Sequence, residues 1–139
     1  MTHAGRFQVA TQGHTHVLDI TDQVGRIVAD SGVRQGMLVV FVVGSTAAIT
    51  TTEAEPGLLT HDLKAFWERV APEREYYRHE ETWHDDNGHA HVRASLMGPS
   101  LTIPFVDKRL TLGTWQQIVL IDFDTRPRTR RVVVQLIGE

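Results

Sequence analysis

Apolar residues fall along this chain in two rhythms, and the rhythm changes at identifiable breaks. From Arg6 to Ile20, Phe7, Val9, Val17, Leu18 and Ile20 stand among polar partners on either side of Gly13, which predicts two short strands joined as a hairpin. Thr21 then opens a segment in which Val24, Ile27 and Val28 recur at helical spacing, closed by Ser31-Gly32. Met37 to Val43 is an unbroken β-branched and aromatic run between Gly36 and Gly44, which predicts a strand covered on both faces at the centre of the core. Ala47 to Thr52 continue extended, Pro56-Gly57 breaks the chain, and Leu59, Leu63, Phe66 and Val70 predict a helix over residues 58–71 that Pro72 ends. After Ala90 the pattern reads as strands throughout: His91 to Met97, Ser100 to Val106, Leu110 to Phe123 and Arg131 to Ile137. The separators are Gly98-Pro99, Asp107-Lys108 and Arg126-Pro127-Arg128. The expected fold is α+β: one domain over residues 1–139, a mainly antiparallel or mixed sandwich-like sheet arrangement, and two helices.

Composition narrows the class without naming a function. A chain of 139 residues removes about two-thirds of its unfolded surface from water, so folding requires neither a disulfide nor a metal. With 41% hydrophobic and 22% charged residues it is globular in composition, and no apolar run approaches the roughly 20 residues of a membrane span. Met1 to Arg6 lack the charged and apolar regions of a secretory signal and there is no cysteine, which points to the cytoplasm. The net charge of -3 argues against nucleic acid as a partner. The one basic stretch, Arg126 to Arg131, reads first as a solvated turn between strands and second as an anion-binding patch.

Candidate chemistry concentrates in one place. Four of the eight histidines, His79, His84, His89 and His91, fall within residues 79–91, interleaved with Glu80, Glu81, Asp85 and Asp86. Neutral imidazole is the commonest ligand for borderline metals. If the strand beginning near Ala90 forms, His89 and His91 share a face with Cα atoms about 6.5–7 Å apart. The turn-forming Asp85-Asp86-Asn87-Gly88 folds His84 back toward them, and His79 closes the set. A solvated, acid-rich loop is the competing reading. Gly44-Ser45-Thr46 offers N–H and hydroxyl groups to an anion at the end of the apolar run, or is a plain turn. Glu53 and Glu55 could bind a metal, act as a general base, or only precede the helix. Gly113 inside the last long apolar stretch, beside Thr114 and Trp115, predicts either a bulge that admits a ligand or simple core packing by the indole.

Several blocks in order resemble the YjbQ family: Gly44 to Thr50, Glu55 to Leu58, Trp83 to Ser95, Gly98 to Pro104, Leu112 to Gln116, and the closing Val134-Gln135-Leu136-Ile137-Gly138-Glu139. The resemblance implies a small α+β protein, a homotrimer, and the activity attached to the family's name, a weak secondary thiamine-phosphate synthase. Carried over, the family's histidines fall on His79 and His91, and its acidic step on Asp85-Asp86. Where many members have a histidine before the paired hydroxyls, this chain has Gly44. The resemblance therefore implies that His84, or else His89, supplies the missing ligand.

The donor set bears on the activity. Magnesium takes oxygen ligands, whereas imidazole suits zinc and its neighbours, so a divalent metal, zinc before magnesium, is the expected cofactor. The chain is also shorter than the roughly 200 residues of the smallest (β/α)₈ barrels, the fold of the established thiamine-phosphate enzyme. The expected site has His79, His84, His89 and His91 on the metal, with Asp85 or Glu53 as general base and Arg93 as charge clamp. Ser45, Thr46, Asn87, Thr114 and Trp115 are expected to hold a phosphorylated small molecule. The alternative is a non-enzymatic trimeric binding protein in which the metal staples subunits.

Overall fold

The computed structural model describes residues 1–139 and forms three layers. Eight strands make two sheets: β1 Thr2–Thr11, β2 His16–Asp19, β3 Gly36–Val42, β4 Ala47–Thr52, β5 Ser100–Val106, β6 Arg109–Leu110, β7 Gln117–Asp122 and β8 Arg128–Gly138. Five of them run in the order β1-β8-β3-β5-β6, three in the order β2-β7-β4, and every pairing is antiparallel. Alternation dictates what lies between the sheets. Leu38, Val40 and Val42 of β3 and Val132, Val134 and Leu136 of β8 point inward onto Ile49, Ile118 and Leu120, and all are buried. Helix α1, Thr21–Asp30, adds Val24 and Val28 to that core at helical spacing.

The third layer lies on the other face of the small sheet. There Ala48, Val119 and Ile121 meet Trp67 of α2, Leu63–Val70, and Ala90 and Ala94 of α4, Gly88–Met97. Phe123 closes this cluster edge-on to Trp67, with ring centroids 4.9 Å apart. The expected helix over 58–71 is present, opening with a π-helical stretch, Leu58–Asp62, before α2. A single turn, α3 Glu80–Trp83, completes the helices.

Several expectations are corrected. Residues 91–97 are helical, because Ala90, Ala94 and Met97 recur at i, i+4 and i+7 and the small side chains of the two alanines let the helix seat on Ala48. With α3, that makes four helices where two are expected. The Met37–Val43 run is covered on one face only: Met37 is 51% and Phe41 40% exposed. The strand covered on both faces is β7, in which Ile118 through Asp122 are all buried. The first two strands do not pair with each other, since Gly13, His14 and Thr15 all take positive φ and carry the chain from the large sheet to the small one. The stretch from Leu110 to Phe123 is not one strand; the Gln116 side chain accepts from the Gly113 N–H across an intervening turn. Trp115 is 73% exposed in that turn and packs no core.

Candidate metal and anion site

Three segments distant in sequence meet at one end of the sandwich. They are the Gly44-Ser45-Thr46 link between β3 and β4, the 79–91 histidine window, and the β7–β8 connection with the first residues of β8. Together they line a cleft of about 380 Å³ that includes Ser45, His79, Trp83, Asp85, His91 and Arg128.

Buried polar contacts fix the walls. Asp122, at the end of β7, accepts from Thr11 Oγ1 at 2.6 Å, from Arg130 Nε at 2.7 Å and from Arg130 Nη2 at 2.9 Å. The same Nη2 donates to the Thr46 hydroxyl, and that hydroxyl donates to Asp124 Oδ2 at 2.9 Å. Burial pushes the Asp124 carboxyl up, but hydrogen bonds from the Arg126 N–H, Thr46, Arg128 and Asn87 outweigh it and hold the group below its usual range. Asn87 ties the histidine window to this floor, accepting through Oδ1 from the Thr125 N–H at 3.0 Å, while its carbonyl accepts from the His91 N–H at 3.0 Å. Asn87 is buried, lines the cleft, and commits its Oδ1 to Thr125.

On the opposite wall, the His79 and His91 rings lie 4.5 Å apart between centroids. His79 Nδ1 stands 3.4 Å from Asp85 Oδ1, too far and too poorly aligned for a hydrogen bond, and this buried nitrogen has no partner. Ligand atoms of His79, Glu80 and Asp85 lie within 4.8 Å of one another. An orphaned imidazole nitrogen beside two carboxylates fits a divalent cation.

The structure does not bring the other expected residues here. His84, at the end of α3 with φ 52°, lines a neighbouring cleft of about 750 Å³ with His14, Glu73, Glu80, Asp85 and Asp86, and is not among the residues lining the cleft at Gly44. His89 points away from His91, since two residues on a helix diverge by about 200°. It is buried beside Tyr77 with Nε2 unpartnered, and burial first of all pushes its pKa down. Arg93 is an internal strut, its Nε donating to the Ala71 carbonyl at 2.9 Å, Nη1 to Thr15 at 3.0 Å and Nη2 to Glu68 at 2.7 Å. Nε, Nη1 and Nη2 are thus all engaged inside the fold, and Arg93 does not line the cleft. Glu53 follows the far end of β4, and Thr114 and Trp115 precede β7 at that same end, where Thr52 pairs with Gln117. Of the hydroxyl pair, Ser45 is exposed to the cleft and Thr46 is buried in the network.

Glu80 and Asp124 are not among the expected site residues, and Arg128 and Arg130 fall in the stretch whose second reading is an anion-binding patch. The signal existed in the inward register of β8: Arg128 and Arg130 continue the alternation of Val132, Val134 and Leu136, which places Arg130 inside rather than on a solvated turn.

Comparison with known proteins agrees with this architecture. The sequence profile described as UPF0047 protein YjbQ-like matches residues 5–139. A UPF0047 protein of Archaeoglobus fulgidus is 39% identical over 91% of this chain and 95% of its own. Among solved structures, a YbjQ-like protein of unknown function from Sulfolobus solfataricus P2 superposes with a TM-score of 0.93 at 34% identity, covering 100% of this chain and 99% of that one. A hypothetical protein of Aeropyrum pernix K1 gives 0.91 at 37% identity, covering 99% of each. Profile, sequence and fold coincide over nearly the whole chain, which belongs to the UPF0047 family of YjbQ-like proteins.

Proposed function

We propose that the chain is a divalent-metal protein that acts on a phosphorylated small molecule in the cleft at the end of the sandwich. The observation that carries this reading is the unpartnered, buried Nδ1 of His79, set among Glu80, Asp85 and the His91 ring and facing the Ser45 turn. His79 and His91 supply nitrogen and Glu80 and Asp85 supply oxygen, a donor set that suits zinc better than magnesium. When bound, such a cation polarises a phosphoryl oxygen or a water. The Ser45 hydroxyl and the Arg128 guanidinium face the same space and orient the anion. Thiamine-phosphate synthesis fits this wall less well, because diphosphate departure is served by magnesium on oxygen ligands.

A second reading, a non-enzymatic trimeric binding protein, is favoured by the bare outer face of β3. Met37, Val39 and Phe41 form an exposed apolar row there, continued by Ile137 across the register with β8. The trimer and a cytoplasmic location belong to both readings.

Elemental analysis of untagged protein tests the first. One zinc per chain is expected, lost in His79→Ala and in His91→Ala with the fold retained, and kept in His84→Ala. Full retention in both of the first two variants refutes it. Turnover of phosphate esters by the zinc form would then separate catalysis from binding alone.

A further inference from the structure

The guanidinium of Arg130 is unequally used. Nε and Nη2 are committed to Asp122 and Thr46, but Nη1 has no acceptor in the protein. Arg130 is only 7% exposed and yet lines the cleft. Its free nitrogen lies against the backbone of Gly44, where a Cβ would stand 2.5 Å from Nη1. Gly44 also takes φ 133°, a conformation that L side chains rarely adopt. A glycine is therefore required twice at this position: for its backbone, and to leave the guanidinium edge uncovered.

We propose that Gly44 and Arg130 form an oxyanion subsite, in which Arg130 Nη1 donates to one oxygen of a bound phosphoryl group. This inference rests on the anion-binding half of the proposed function and names the residue that recognises the anion. The Asp122 carboxylate holds the guanidinium plane through two hydrogen bonds, so the donor is ordered before any ligand arrives and little side-chain freedom is lost on binding. Ser45 and Arg128, on the rim of the same cleft, supply donors for the remaining oxygens. Asp122 and Asp124 already offset the charges of Arg130 and Arg128. A cation on the His79–His91 wall would add positive charge beside the anion, so phosphate affinity should rise when the protein is loaded with zinc. No side chain can be added at position 44 without displacing Nη1.

Two measurements with inorganic phosphate test the subsite on the full chain. In the wild-type protein, NMR of the arginine guanidinium groups should show the Arg130 Nη1 protons shifting on phosphate addition and saturating together with the calorimetric binding curve. In Gly44→Ala, phosphate affinity should fall at least tenfold, which is about 1.4 kcal/mol, while zinc stoichiometry is measured alongside. An Arg130 signal that stays still while phosphate binds overturns the inference, whether or not the variant folds. So does a folded Gly44→Ala protein that binds phosphate as the wild type does. Zinc absent but phosphate still shifting Arg130 would refute the metal reading and leave the subsite standing; zinc present with no phosphate binding would do the reverse.

Discussion

Replacing Arg130 with methionine removes the cation that the interior of the cleft is built around. Asp122 is fully buried and loses two hydrogen bonds, at 2.7 and 2.9 Å, keeping only the Thr11 hydroxyl and the Asp124 N–H. Leaving a buried charge without its partner costs about 3–5 kcal/mol. With an unfolding entropy of about 2.1 cal/mol/K per residue, 139 residues convert that to a fall in Tm of about 10–17 °C. Arg128→Met is the contrast. Its guanidinium is 45% exposed and pairs with Asp124 at 3.1 Å, so solvent screening limits the loss to about 1 kcal/mol or less. Adding Asp122→Asn to Arg130→Met removes the stranded charge and should recover part of the loss. Thermal unfolding followed by circular dichroism at neutral pH measures all four proteins. Equal effects of Arg128→Met and Arg130→Met, or a double variant no better than Arg130→Met alone, would show that Asp122 is not the buried, dependent carboxylate described.

Asp124 gives a pH prediction. Its folded pKa lies below its unfolded value, so its stabilisation is complete above about pH 4 and disappears as pH falls through the lower, folded value. Asp124→Asn should therefore flatten the acid limb of a stability-against-pH curve, and an unchanged limb counts against the hydrogen-bond set assigned to it. Ala90→Leu overfills the fully buried contact between α4 and the small sheet at a cost of about 1–3 kcal/mol; urea denaturation with no loss would show that α4 does not seat there. Phe41→Glu places a charge on the bare face of β3, and should break self-association in sedimentation experiments while leaving the melting curve of the single chain almost unmoved. A monomeric wild type, or a variant that still associates, refutes that use of the face.

Legibility in the sequence followed the reach of the interactions. The helix over 58–71 and the strands β3, β5 and β8 announced themselves because period and breakers are local. α4 did not, because Val92-Arg93-Ala94-Ser95-Leu96 alternates well enough to pass for a strand, and the deciding contact of Ala90 and Ala94 is with Ala48, about forty residues earlier. The same error misplaced His89: a strand would set it beside His91, whereas a helix buries it on the far side. His79, His91, Asp85 and Ser45 were legible as chemistry, and the structure brings them to one cleft. Arg130 was hidden by composition, since four arginines around a proline suggest a solvated turn unless the inward phase of β8 is extended back to them.

The cleft draws its walls from residues 44–46, 79–91 and 124–130, and no two of these segments are neighbours in sequence. Folding must complete the β3–β8 and β4–β7 pairings before the three can meet, and such non-local contacts form slowly. A partly folded chain has no cleft. An anion held by all three segments consequently binds the native state alone, and at a hundred times its Kd adds about 2.7 kcal/mol to the stability of the whole domain.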